Sequence, residues 1–312
     1  MNAFKGVEST SGEQRLRKIG SPIFVGHDGV FLNSCSMSNI IPPWSDLISA
    51  LRIFYIQKFG ARLHSVYVRG SIAAGVGVPY VSDVDTFCLV RSEVFTRDQE
   101  DLDLADISFQ KQFPVASSVE VVAYNIDEFL ENSEFEGLRF LTKLTAFCVD
   151  GNDVSDLVRP YTGSDVPLIC LPKLKSALEQ SKLILEENIC ENSRIDVCRW
   201  IAKMIIRAAY EAARTDLSEY SRDLYYCASV FSSKHPKFNS SINKALLLAV
   251  YPSSDSRTIR KLICGIAASK SWKFGRVNLH RSLFANSSAF AAKSWLIPNG
   301  PKTFVKIVRY AH

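Results

Sequence analysis

The 312-residue chain lacks any apolar run of membrane length: its longest, such as Ala245 to Tyr251, fall far short of the roughly 20 residues that cross a bilayer, so no transmembrane helix is expected. The first stretch, MNAFKGVESTSGEQRLRKIG, has no apolar core of the kind a secretory signal carries, and the cytoplasm is the expected location. Eight cysteines form no C-x-x-C pair and sit mostly in apolar periodic segments, so they read as reduced, small hydrophobes. The five histidines are dispersed, none at helical ligand spacing to another His or Cys, which leaves zinc without a visible site. Internal repeats and low-complexity tracts are also missing.

The scarcity with the largest consequence is of acid near the carboxyl end. From Arg257 to His312 there is no Asp or Glu, while Arg257, Arg260, Lys261, Lys270, Lys273, Arg276, Arg281, Lys293, Lys302, Lys306 and Arg309 supply eleven positive charges. Because the whole chain carries +5, the first 256 residues carry −6. A sustained positive segment attracts phosphate-rich ligands.

What is present is ordinary globular material, 47% hydrophobic and 22% charged, which excludes disorder and a coiled coil. A chain of 312 residues exceeds the size at which one core keeps growing, and two domains are expected. Residues 1–40 are weakly periodic and read as a peripheral arm. After Pro42 and Pro43, Leu47, Ile48, Leu51, Phe54 and Tyr55 recur at helical spacing up to Gly60. Short strands are expected at His64 to Arg69, Val84 to Val90 and Ser118 to Tyr124, with a helix around Asp98 to Phe113. From about Leu138 the pattern is helical throughout, apart from a polar break at Asp150 to Asp156 and a Pro, Gly and Ser-rich loop at 160–172 that marks the domain boundary. Helices are expected near 173–190, 193–214, 222–233, 239–251 and 256–270. The 193–214 helix opens on a capping-box-like Ser193 and Asp196, with Ile195, Met204, Ile205 and Ala208 on its apolar side.

Chemistry concentrates in Gly70-Ser71, then Asp83-Val84-Asp85 after eleven intervening residues, then Glu120 among valines. A Gly-Ser turn lets backbone amides and a hydroxyl approach phosphate oxygens, because a glycine has no Cβ in the way. Asp83 and Asp85 are two apart on a strand, so both project from one face, and Glu120 on a neighbouring strand completes three carboxylates. Such acids facing a triphosphate repel it by roughly 1 kcal/mol per pair in water and about 4 near a protein surface. Divalent cations resolve the conflict, and hard oxygen donors with phosphate partners favour Mg2+ or Mn2+. In a two-metal arrangement one ion activates an acceptor hydroxyl and the other steadies departing pyrophosphate, with Glu120 placed to bind the first ion or to take the hydroxyl proton.

These residues resemble the DNA polymerase beta-like nucleotidyltransferase superfamily, whose motif is an apolar strand, Gly-Ser, a spacer of this length, Asp-x-Asp and a third acid on a later strand. The resemblance covers Ala61 to Tyr124 and implies that Gly70 and Ser71 cradle NTP phosphates, that Asp83 and Asp85 bind metal, and that Glu120 is the third acid. Within the superfamily the chain is most similar to aminoglycoside adenylyltransferases of the streptomycin and spectinomycin type, which add a helical C-terminal domain and use ATP. Their Ser-Lys-Asp element, whose lysine reaches the nucleotide, is matched by Ser221-Arg222-Asp223 with arginine instead; the basic tail and residues 1–40 have no counterpart there. The implied fold is α+β: a small mixed sheet in a nucleotidyltransferase domain at 41–160, then an α-helical bundle at 161–312 ending in the basic tail.

Each motif has a bland alternative. An isolated Asp-x-Asp is a solvated strand end, and Arg199, Lys203 and Arg207 form a basic stripe that reads either as a solvated face or as triphosphate binders. Arg222 and Asp223 read equally as a helix-start ion pair, and Trp200, Trp272 and Trp295 as core residues. The leading expectation is NMP transfer to an acceptor hydroxyl, with RNA favoured by the segment 257–312 and its Trp272, Phe274, Phe284 and Tyr310. Transfer to an aminoglycoside-type small molecule, a cyclic or oligomeric nucleotide product, and a non-catalytic NTP-binding module are the alternatives; the three intact acids oppose the last.

Overall fold

The computed structural model describes residues 21–187 and 189–267. Within them the chain divides into two compact units: residues 22–167 with 216–220 form the first, and residues 168–215 with 221–267 belong to the second. The architecture is α+β, with a small mixed sheet in the first unit and helices in the second.

The first unit is built on four strands, β2 (Leu63–Arg69), β3 (Val84–Val90), β4 (Val119–Asn125) and β5 (Ala146–Gly151), in the order β4-β3-β2-β5. β2 runs antiparallel to β3 and β5, whereas β4 is parallel to β3. A parallel neighbour requires a long crossover, and helix α2 (Thr96–Gln112) supplies it. One face of the sheet packs on α1 (Trp44–Phe59) and α2, where Leu47, Ile48 and Leu51 meet Val66, Val68, Val84, Leu102 and Val121. Gly60 ends α1 at φ +50°, a left-handed conformation suited to glycine. On the other face Tyr67 stacks on Phe87 with ring centroids 4.8 Å apart, and Phe129 of α3 (Ile126–Glu131) covers Phe87 at 6.2 Å.

In the second unit α6 (Glu191–Ala213) is the central helix, with α5 (Leu174–Ile184), α7 (Leu224–Lys234) and α8 (Asn239–Val250) against it and α9 (Ser256–Ala267) on α5 and α8. Val197, Ile201, Ile205 and Ala208 of α6 are buried at the three- and four-residue spacing of one helix face.

Several expectations need correction. β5 interrupts what reads as continuous helix after Leu138: α4 (Glu136–Thr145) stops and the strand begins at the next residue. A six-residue stretch of Ala-Phe-Cys-Val-Asp-Gly is too short for periodicity to decide, and the open edge of β2 captures it. Part of the expected arm packs into the first unit, where β1 (Ile23–Phe24) pairs with β6 (Glu219–Tyr220) and Phe31 is buried against Phe140 and Tyr220. α6 starts two residues before Ser193, with Cys190 at the cap position, so Ser193 and Asp196 are not its capping box. Ile195 and Met204 are half-buried rather than core. Cys88, Cys170, Cys198 and Cys227 are buried free thiols, as expected of small hydrophobes. Among the described residues no helix is long and apolar enough to cross a membrane. Residues 1–20 and 268–312, with Lys270, Lys273, Arg276, Trp272, Phe274, Phe284, Trp295 and Tyr310, lie outside the described residues.

Candidate active site

Alternation along β2 sends Val66 and Val68 to the α1–α2 core and leaves Tyr67 and Arg69 on the opposite face. Strand register then places Arg69 opposite Asp85 on β3, and Asp85 opposite Glu120 on β4. A cation and two carboxylates therefore lie in a row across three strands. Arg69 Nη1 pairs with Asp85 Oδ2 at 3.2 Å, and Nη2 donates to Glu120 Oε2 at 2.8 Å. The arginine side chain is 8% exposed, against 24% for Asp85 and 17% for Glu120, so the guanidinium is the covered member and the acids are the reachable ones.

The backbone of Glu120 is held from the α1–α2 side. Thr86 Oγ1 donates to the Glu120 carbonyl at 2.7 Å, so the buried Tyr55 hydroxyl donates to Thr86 at 3.0 Å and accepts from the Val122 amide at 3.0 Å. Burial pushes the Tyr55 phenol well above its ordinary value, and it stays a neutral donor. Asp106 of α2 accepts from the Val121 amide at 2.7 Å. Three polar side chains thus satisfy an edge strand at the point where its acid must be fixed.

Gly70 follows Arg69 with φ +76°, and a Cβ there would lie 3.6 Å from Asp85 Oδ2, so the backbone conformation rather than space requires glycine. The Gly70 amide donates to the Thr145 carbonyl at 2.8 Å, which removes it as a phosphate donor. Its successors differ. Ala74 and Val76 amides bond back to the Gly70 and Ser71 carbonyls at 3.1 and 2.9 Å, while among the described residues no acceptor pairs with the amides of Ser71, Ile72 and Ala73. Ile72 and Ala73 are buried, so of these three only Ser71, half-buried, can turn its amide toward an anion.

Gly70, Ser71, Asp85 and Glu120 are therefore brought together. Asp83, expected on the strand with Asp85, instead lies just ahead of β3, which starts at Val84, so strand alternation does not set its side chain beside that of Asp85; it is half-buried. Among the described residues no three His, Cys, Asp or Glu side chains are gathered as a metal cage would gather them. Asp85 and Glu120, linked through Arg69, nonetheless offer hard carboxylate oxygens, the donor chemistry of Mg2+ or Mn2+. Each carboxylate has a second oxygen besides the one facing Arg69.

Lys203, Arg207 and Arg222 belong to the second unit. Burial raises the thiols of Cys170 and Cys227, and positive Arg207 and Arg222 near both oppose that rise, so these two arginines share a neighbourhood. Lys203 is half-buried on α6, and Arg199 at the start of the stripe pairs with Asp196 at 3.3 Å. Asp223 caps α7, its Oδ1 accepting from the Tyr226 amide at 2.8 Å, which makes Asp223 a helix-start residue.

Two further residues, Arg69 and Glu211, organise their surroundings from outside the motif. Arg69 was visible as the charged end of an apolar strand with the parity of Asp85 and Glu120, immediately before Gly-Ser. Glu211 of α6 accepts from the amides of Ile169, Cys170 and Leu171 at 2.8–3.1 Å, and nothing in its neighbours announces that grip.

No protein-family model matches the chain, and no curated protein does. Among solved structures it is similar to spectinomycin adenyltransferase AAD(9) from Enterococcus faecialis, solved with ATP and spectinomycin, at 12% identity and a TM-score of 0.42, over 70% of this chain and 97% of that one. A likeness of that size leaves chemistry and substrate to be argued from the site.

Proposed function

We propose that this chain is a nucleotidyltransferase that moves NMP from an NTP, ATP in the first instance, to an acceptor hydroxyl with release of pyrophosphate. The observation that carries the reading is the Arg69–Asp85–Glu120 row beside the Gly70-Ser71 turn, where the half-buried Ser71 has an amide with no acceptor among the described residues. Reachable acids next to an anion-binding turn make sense when a cation and a polyphosphate occupy them together. Asp85 and Glu120, with Asp83 two residues before Asp85, would hold Mg2+ or Mn2+, which when bound offsets negative charge on the phosphates. The Gly70-Ser71 turn would orient the triphosphate through the Ser71 amide and hydroxyl. The acceptor oxygen then attacks the α-phosphorus, the bond to the bridging oxygen of pyrophosphate breaks, and Glu120 receives the hydroxyl proton. Lys203, Arg207 and Arg222 are kept as candidate phosphate contacts on their charge and on the resemblance in sequence alone.

We assign RNA as the acceptor and the segment 257–312 as its binding element, in a protein of the cytoplasm, because eleven positive charges without one acid exceed what a triphosphate needs. Incubation with each of four α-labelled NTPs, Mg2+, and separately total RNA or an aminoglycoside panel tests this. Label on RNA, absent with Asp85→Asn, supports the reading. Label on an aminoglycoside replaces the acceptor, and no labelled product under any condition sinks the enzymatic reading in favour of an NTP-binding module.

A further inference from the structure

We propose that Arg69 is the positioning residue of the site: a built-in counter-charge that holds Asp85 and Glu120 side by side before a divalent cation arrives and sets how tightly that cation is held. The proposal rests on the nucleotidyltransferase reading and extends it to a residue outside its motif.

Three observations carry it. The first is the fork. Arg69 uses Nη1 for Asp85 at 3.2 Å and Nη2 for Glu120 at 2.8 Å, so one planar group fixes two acids on two different strands. A lysine has one ammonium nitrogen and cannot reproduce that geometry. The second is burial. Removing a guanidinium from water is costly unless its partners are charged and well placed, and apolar side chains at such a position commonly give equal or better stability. Arg69 is 7% exposed while its partners remain more open, an arrangement that fixes the acids from beneath and leaves them approachable. The third is anchoring: Arg69 pairs with Asp85 on β3 and with Ala146 on β5, and the next residue, Gly70, donates to Thr145 at 2.8 Å, so the strand end is tied on both sides.

Without a cation, Arg69 offsets the repulsion between the two acids. With one bound, the arginine lowers the total negative charge, so the ion is held less tightly than two bare carboxylates would hold it and can leave with pyrophosphate.

The test compares the full chain with Arg69→Met and Arg69→Lys, reading Mn2+ binding by electron paramagnetic resonance, Tm with and without Mg2+, and turnover. Arg69→Met is expected to bind Mn2+ about tenfold more tightly, the effect of one unit charge on a doubly charged ion across a few ångströms of water-like medium. It should also lose Tm in metal-free buffer, recover most of that loss in Mg2+, and turn over at least tenfold more slowly. Arg69→Lys keeps the charge, so its Mn2+ affinity should stay within about twofold of wild type while turnover falls; this variant carries the test if the methionine protein does not fold. Unchanged or weaker Mn2+ binding in Arg69→Met, or a Tm loss that Mg2+ does not repair, overturns the proposal and makes Arg69 a structural ion pair. Should the wild-type protein bind no Mn2+, or bind it equally well as Asp85→Asn, the cation site itself is wrong and both readings fall.

Discussion

The molecule holds its partly buried acids in two ways. In the second unit Glu211 is surrounded by neutral donors: Oε1 accepts from Ile169 and Cys170 at 3.1 and 3.0 Å, and Oε2 from Cys170 and Leu171 at 3.0 and 2.8 Å. In the first unit Asp85 and Glu120 are paired with one buried arginine and remain partly exposed. Burial pushes the Glu211 carboxyl up against the opposing amides and Arg222, yet both its oxygens are committed to a loop of the chain itself. An acid saturated by backbone amides organises the fold, whereas acids paired with a buried arginine and still partly exposed can be approached by a ligand.

That contrast breaks most sharply if the two kinds of acid respond alike to mutation. Asp85→Asn should lower turnover by on the order of a thousandfold, since it removes a charge from the centre of the site, while Tm stays close to wild type. Asp83→Asn should do the same, and Glu120→Gln should retain NTP binding better than turnover. Single-turnover kinetics with α-labelled ATP and a thermal melt decide it; near wild-type activity in Asp85→Asn removes the site. Glu211→Ala should do the reverse. It strips the acceptor from three amides and is expected to cost about 3 kcal/mol, measured by denaturant unfolding. A loss of activity without loss of stability in Glu211→Ala would place that acid in the chemistry instead.

The legibility of these acids differed for physical reasons. Asp85, Glu120 and Gly70 were readable because strand parity and turn chemistry are local rules, and the same rules gave β2, β3 and β4 nearly to the residue. β5 was not readable, because a six-residue strand directly after α4 owes its existence to the open edge of β2, a long-range partner. The pairing of β1 with β6 joins residues 23–24 to 219–220 and no local pattern encodes it. Arg69 carried a signal in its parity with Asp85, which the motif drew attention away from. Glu211 carried none, since its three amide partners sit some forty residues earlier.

A third acid lies between the two kinds and sharpens the comparison through pH. Asp98 is gripped by Arg62 at 2.6 Å and Lys58 at 3.2 Å and accepts from the Phe95 amide at 3.1 Å. Burial alone would raise its carboxyl, but the Arg62, Phe95 and Lys58 bonds together hold it below the ordinary 3.8. An acid held low binds its proton more weakly folded than unfolded, so it adds stability above the ordinary value that is lost as pH falls through the folded one. Asp98→Asn should therefore cost about 2 kcal/mol near neutral pH and flatten the decline in stability below pH 3.8. An unchanged acid limb in urea melts would show that Asp98 is not an acid-sensitive staple.

The smallest effect separates two neighbours that the sequence left joined. Asp223 caps α7 through the Tyr226 amide at 2.8 Å, whereas Arg222 shares the Arg207, Cys170 and Cys227 neighbourhood. A lost aspartate cap costs about 1 kcal/mol, so Asp223→Ala should lower stability by that amount and leave the KM for ATP unchanged. Arg222→Ala should raise that KM if Arg222 contacts the triphosphate, because a charge-assisted bond to phosphate is lost. The pair is informative because each substitution controls for the other: both truncate a polar residue at the start of the same helix, and only one removes a cation. If Asp223→Ala raised the KM as much as Arg222→Ala, the common cause would be a displaced α7. Arg222 would then belong with Glu211 among the residues that hold the fold.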